Sequence, residues 1–147
     1  MKSCARLTGL LLLVCIMVLI LSACGREQQG RVVISEEEFV VRQDTDHSWV
    51  IDARGKVKNV GEVDVKNVVV TGYCNSCGEI VKNGAWFVSD YEKMAHQKDT
   101  ISYLVPGAEE EFSFEEVAFL QDQAGAEPQP KPEDMEVEIV SFETVQE

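Results

Sequence analysis

From Trp49 to Asn59 the chain alternates with a period of two: Trp49, Ile51, Ala53, Gly55 and Val57 fall on one side of an extended strand, and Asp52, Arg54, Lys56 and Lys58 on the other. A strand patterned this way buries one face and wets the other, so it belongs in an antiparallel sheet lying on a core. From residue 31 onward, short apolar alternations are broken by glycine, proline and acidic residues, and no long stretch keeps a helical period. The pattern predicts an all-β domain.

The other strands follow from similar local signals. Val65 to Tyr73 carries Val68, Val69 and Val70 in succession, a β-branched run that predicts a central strand covered on both faces. Glu79–Val81 and Ala85–Val88 are predicted as strand pieces joined by a hairpin turn at Asn83-Gly84. Thr100 to Val105 alternates up to the turn Pro106-Gly107, after which Phe112, Phe114 and Glu116 are predicted to share a face. Met135 to Glu147 forms a last strand with a bulge near Ser141. Before it, Gln121 to Asp134 holds three of the four prolines and forms an extended surface connection. The first strand, Arg31 to Val41, contains Glu36, Glu37 and Glu38, charges that suit an edge strand guarded against aggregation. Ser89 to Asp99 is predicted as a short helix or loop, with Ser89 as cap and Glu92 three residues on. About seven short strands in a chain of this size predict a two-sheet sandwich.

Composition limits what such a domain can bind. The chain has 147 residues with 13 Lys+Arg against 26 Asp+Glu, and the first 23 residues hold two of the basic residues, Lys2 and Arg6, and no acid. The rest therefore has 11 basic and 26 acidic residues. Phosphate binding needs a basic face, so a nucleic-acid partner is excluded.

Lys2 and Arg6 precede the uncharged run Leu7 to Leu21, followed by Ser22, Ala23 and Cys24. This is the order of a secretory signal, and its run of 15 residues falls short of the ~20 that span a bilayer as a helix. The tetrapeptide Leu21-Ser22-Ala23-Cys24 resembles the lipobox of bacterial lipoproteins. That resemblance implies cleavage before Cys24, a diacylglyceryl thioether on its sulfur and acylation of the new amino terminus. Gly25, not being Asp, permits onward transport to an outer membrane by the same resemblance. Two or three acyl chains anchor a protein stably where one is marginal. The expected organisation is a signal peptide over 1–23, a tether over 24–30 and a β-sandwich over 31–147.

The stretch from Trp49 to Phe114 resembles an FxLYD-type domain, an immunoglobulin-like sandwich of bacterial and archaeal envelope proteins. The matching segments are Gly55-Lys56-Val57-Lys58-Asn59-Val60-Gly61, Val65-Lys66-Asn67-Val68-Val69-Val70, and Pro106-Gly107 with Phe112. Where the family commonly has an aromatic-acidic turn, this chain has Tyr73-Cys74-Asn75-Ser76-Cys77-Gly78. The resemblance implies an interaction role and supplies no catalytic residues.

Cys4 and Cys15 leave with the signal and Cys24 takes lipid, so Cys74 and Cys77 remain. In an exported chain this pair is most simply a small disulfide closing a turn. A redox-active pair and a metal knuckle completed by His47 or His96 are the competing chemistries. His47, beside Asp44 and Asp46, and His96 are otherwise expected as exposed loop residues, and Glu109-Glu110-Glu111 as a solvated lead-in to a strand. No G-x-S-x-G, H-E-x-x-H or phosphate loop occurs. The expectation is a non-enzymatic protein without cofactor or resident metal, held by lipid on the extracytoplasmic side of a bacterial membrane and meeting a protein partner in the envelope. The alternative is a small redox or metal-handling lipoprotein that uses Cys74 and Cys77.

Overall fold

The computed structural model describes residues 29–88 and 92–145. These form seven strands: β1 (Val32–Thr45), β2 (Ser48–Asn59), β3 (Val65–Cys74), β4 (Trp86–Phe87), β5 (Lys98–Leu104), β6 (Glu109–Gln121) and β7 (Met135–Thr144). They make two antiparallel sheets, one ordered β1-β2-β6-β4 and one ordered β5-β3-β7. The all-β sandwich expected from the sequence is thus the fold.

The alternation in β2 is realised: Ile51, Ala53 and Val57 are buried, while Arg54 is exposed and Lys56 and Lys58 lie between these extremes. They meet Phe112, Phe114, Ala118 and Leu120 of β6 in one core with Val65, Val68, Val70, Ile101, Leu104 and Val137 from the facing sheet. Val50 is buried as well, on the opposite face, where its cross-strand neighbour is Phe119 and Phe119 stacks on Phe87 at 5.7 Å. The β3 run is central in its sheet, but Val69 is only half-buried, because nothing as extensive as the core covers the outer face.

Two details depart from expectation, in the segment around Asn83-Gly84. Glu79–Val81 is not a strand: Ile80 is 81% exposed, and Gly78 instead bridges in parallel to Phe87, with Val88 N–H donating to the Gly78 carbonyl at 2.9 Å. Asn83-Gly84 is a turn, with Gly84 at φ 72°, but it joins no hairpin. The stretch expected as a short helix or loop holds one 3-10 turn at Ala95–Gln97, where the Gln97 side-chain oxygen accepts from Met94 N–H at 2.9 Å; Ser89 lies outside the described residues. In β7 the extra residue is Val140, next to Ser141 where a bulge was expected, since Ile139 and Ser141 pair with adjacent β3 residues.

Glu116 also leaves the face it was expected to share with Phe112 and Phe114. Ile51 pairs with Ala118 and Ala53 with Phe114, so Asp52 alone opposes residues 115–117, and Glu116 takes φ 61°. Two extra residues preserve the inward parity of Phe114, Ala118 and Leu120. They also let Val117 turn inward against Gly72, where a Cβ would stand 2.7 Å from Val117 Cγ2.

One end of the sandwich is organised by Asn59, which is fully buried. Its amide nitrogen donates to the Val63 carbonyl at 2.8 Å and the Leu104 carbonyl at 2.9 Å, and its side-chain oxygen accepts from Gly61 N–H at 2.9 Å. Its backbone carbonyl accepts from Gly107 N–H at 2.8 Å. At the other end the proline-rich connection passes Trp86, whose indole donates to the Pro130 carbonyl at 3.0 Å, and Lys131 donates to the Phe39 carbonyl at 3.2 Å.

Candidate functional site

Cys74 and Cys77 form a disulfide at the end of β3, with Cα atoms 5.4 Å apart. Cys74 is buried within the core and Cys77 packs partly against it. The turn between them is tied to the start of β7. Asn75 N–H donates to the Asp134 carbonyl at 2.9 Å, the Asn75 amide to Glu136 Oε1 at 2.7 Å, and Asp134 N–H to the Ser76 hydroxyl at 3.3 Å. These neighbours are acidic or neutral, and a thiolate is favoured by cations, so the setting suits a structural bridge. The bridge closes a very short loop, for which chain entropy gives about 2 kcal/mol. Replacing both cysteines with alanine is therefore expected to lower unfolding free energy by about that amount while the domain stays folded. Urea titration of the oxidised protein and the double variant checks this; equal midpoints would remove the structural role.

The acidic triplet sits on the edge strand β1, and each carboxylate has a partner. Glu36 pairs with Lys56 at 3.1 Å and Glu38 with Arg54 at 2.7 Å, across to β2. The Arg54 guanidinium, by hydrogen bond and charge, holds the Glu38 carboxyl below the usual carboxylate range. Glu37 turns the other way and accepts from Val137 N–H of β7 at 2.9 Å. On the far seam Asp99 of β5 accepts from Ser113 N–H of β6 at 2.9 Å. Each seam of the sandwich is thus closed by a carboxylate from one sheet bonded to an edge amide of the other. A cleft of about 810 Å³ runs over the outer face between these groups, lined by Glu36, Glu38, Arg54, Lys56, Asp99 and Glu111 among others. Its two cations are already paired with its own carboxylates, and the remaining acids leave the cleft negatively charged.

The densest polar network surrounds the β6 bulge. Asp52 Oδ1 accepts from Glu116 N–H at 3.1 Å while Arg42 grips the same carboxylate through Nε at 2.8 Å. From the other side Gln97 Nε2 donates to the Glu116 carbonyl at 3.0 Å, Thr71 Oγ1 donates to the Gln97 carbonyl at 2.6 Å, and His96 Nε2 lies 2.7 Å from Glu116 Oε2. His96 is exposed, as expected, yet it is anchored to a carboxylate 20 residues away that no sequence spacing indicates. The network fastens the 3-10 turn to both sheets. Nearby, Lys93 lies 5.2 Å from the centre of the Tyr73 ring, and burial pushes its ammonium pKa down.

His47 occupies the β1–β2 turn, where its backbone N–H donates to Thr45 Oγ1 at 3.2 Å. Among the described residues no group of three or more His, Cys, Asp or Glu gathers round a point suited to a metal ion. Cys24 and the run from Leu7 to Leu21 lie outside the described residues. Gln29 and Gly30, the last tether residues, already lie against the sandwich: Glu62 N–H approaches the Gln29 carbonyl at 3.4 Å, and a Cβ on Gly30 would touch Val65 and Thr144. Comparison with protein-family models, curated proteins and solved structures finds no match to this chain.

Proposed function

We propose that this chain is a non-enzymatic lipoprotein of the bacterial cell envelope, whose β-sandwich serves as an interaction module on the extracytoplasmic side of the membrane. The observation that carries the reading is Leu21-Ser22-Ala23-Cys24 at the end of a signal-like run, with a disulfide-bonded sandwich whose first strand starts at Val32. A buried disulfide suits an oxidising compartment, and the clefts and polar networks described above hold the fold together without assembling a nucleophile and a base. The FxLYD-like reading of the central stretch is supported by the contact between two of its segments, Asn59 and the Pro106-Gly107 turn. The rival redox reading draws less support, because Cys74 is buried and its turn is flanked by carboxylates.

The test is intact mass spectrometry of protein extracted from membranes, beside a Cys24→Ala variant. The native chain is expected to begin at an acylated Cys24 and to sediment with membranes, and the variant to lose that acyl mass and its stable membrane retention. A native chain that retains residues 1–23, or carries no acyl mass, would overturn the reading. Alkylation with and without reduction in the same experiment reports the state of Cys74 and Cys77.

A further inference from the structure

The chain enters and leaves the sandwich at one end, where two apolar turn tips lie exposed. Val60 N–H donates to the Arg31 carbonyl at 2.7 Å, next to Gly30, and the Pro106-Gly107 turn is bonded to Asn59 beside it. The tips of these two turns are apolar: Val60 is 44% exposed, Val105 46%, and Pro106 is exposed as well. Turn tips are ordinarily glycine, proline, asparagine, aspartate or serine, so two adjoining exposed valines call for a reason. Tyr103, 48% exposed, stands at the margin with its hydroxyl bonded to Asp64, and Arg31 is exposed beside the point of entry. An apolar tip ringed by an aromatic with a wet hydroxyl and by a cation matches the boundary between acyl chains and headgroups. Glu62, and Glu109 and Glu110 just after the Pro106-Gly107 turn, are exposed at this end too, so the surface suits zwitterionic headgroups rather than anionic ones.

The length of the connecting chain selects the occupant. Six residues from Cys24 to Gln29 reach at most about 20 Å when fully extended, so an anchor on Cys24 keeps this end within reach of the lipid. We propose that the sandwich stands end-on upon the bilayer that holds Cys24, with Val60, Val105 and Pro106 resting in the headgroup layer. The disulfide turn and the exposed Ile80 then face away from the membrane. The inference rests on the lipid-anchor reading above.

The two native tryptophans make the test direct, since Trp49 and Trp86 both lie toward the far end, paired with the same residue, Leu120. The acylated full chain is reconstituted in vesicles of brominated phosphatidylcholine, which quench indoles at the acyl boundary. Val105→Trp and, independently, Val60→Trp are expected to lose the emission of the added indole, while the native protein and Ile80→Trp keep theirs. Vesicle-bound protein whose new indoles at 60 and 105 stay bright would overturn the end-on arrangement and leave the anchor standing. Equal quenching at 80 and 105 would likewise overturn it. Protein that carries no acyl mass and does not float with the vesicles would overturn the anchor and this inference together.

Discussion

Replacing Asn59 with alanine is expected to lower unfolding free energy by about 3 kcal/mol, a large share of what a domain of this size has. The side chain is fully buried and makes three hydrogen bonds, to Val63, Leu104 and Gly61, that join the β2–β3 turn to the end of β5. Each bond contributes about 1 kcal/mol net, and truncation leaves its partners short of their bonds in a site with little room for water. Asn59→Asp should be worse, because it sets a carboxylate oxygen against the Val63 and Leu104 carbonyls in place of a donor. Urea titration measures both variants. A loss below about 1 kcal/mol for the alanine variant would mean that the turns hold their shape without this residue.

Gly55→Ala is the second substitution expected to be severe. A Cβ at this position would collide with the Glu36 carbonyl oxygen and stand 2.7 Å from Phe112 Cζ. The Glu36 oxygen belongs to a backbone held by the β1–β2 ladder, next to the bulge at Ser35, so it cannot swing aside as a side-chain tip could. Either the two strands separate or Phe112 leaves its rotamer, at a cost of more than about 2 kcal/mol. Gly78→Ala is the control: its nearest neighbour would be the Trp86 carbonyl oxygen at 3.7 Å, an ordinary contact, and its stability should stay within about 0.5 kcal/mol of the native protein. Equal destabilisation by the two substitutions would refute the close approach of β1 to β2.

The inward set of β2 was legible because an alternating strand names its own buried face: Ile51, Ala53 and Val57 are where the period of two puts them. Val50 was not, since its burial depends on Phe119 and Phe87, which are remote in sequence. The pieces around Asn83-Gly84 misled for a related reason. A hairpin needs Glu79–Val81 as a partner for Trp86, but Gly78 pairs with that segment instead and leaves Ile80 in solvent. The pairing of Cys74 with Cys77 could be read from spacing, whereas their burial and their fastening to Asp134 and Glu136 could not. Glu37, Asp52 and Asp99 look in the sequence like any solvated carboxylate. Each is bonded to a backbone amide of a strand at least 14 residues away, and only the fold supplies that amide.

Those amides bear on how the two sheets move. Had β1 and β7, and β5 and β6, exchanged backbone hydrogen bonds along their length, the domain would be a closed barrel in which no strand can shift without its neighbours. Here the sheets are tied by separate side-chain bonds: Glu37 on Val137 along one seam, and along the other Asp99 on Ser113, Gln97 on the Glu116 carbonyl and Asn59 on the Leu104 carbonyl. Such a latch opens by rotating one side chain, a motion of a few bonds, and leaves every strand pair intact. Each such bond can therefore open and re-form on its own, like a single stitch, while the ladders within each sheet and the core between them stay unbroken.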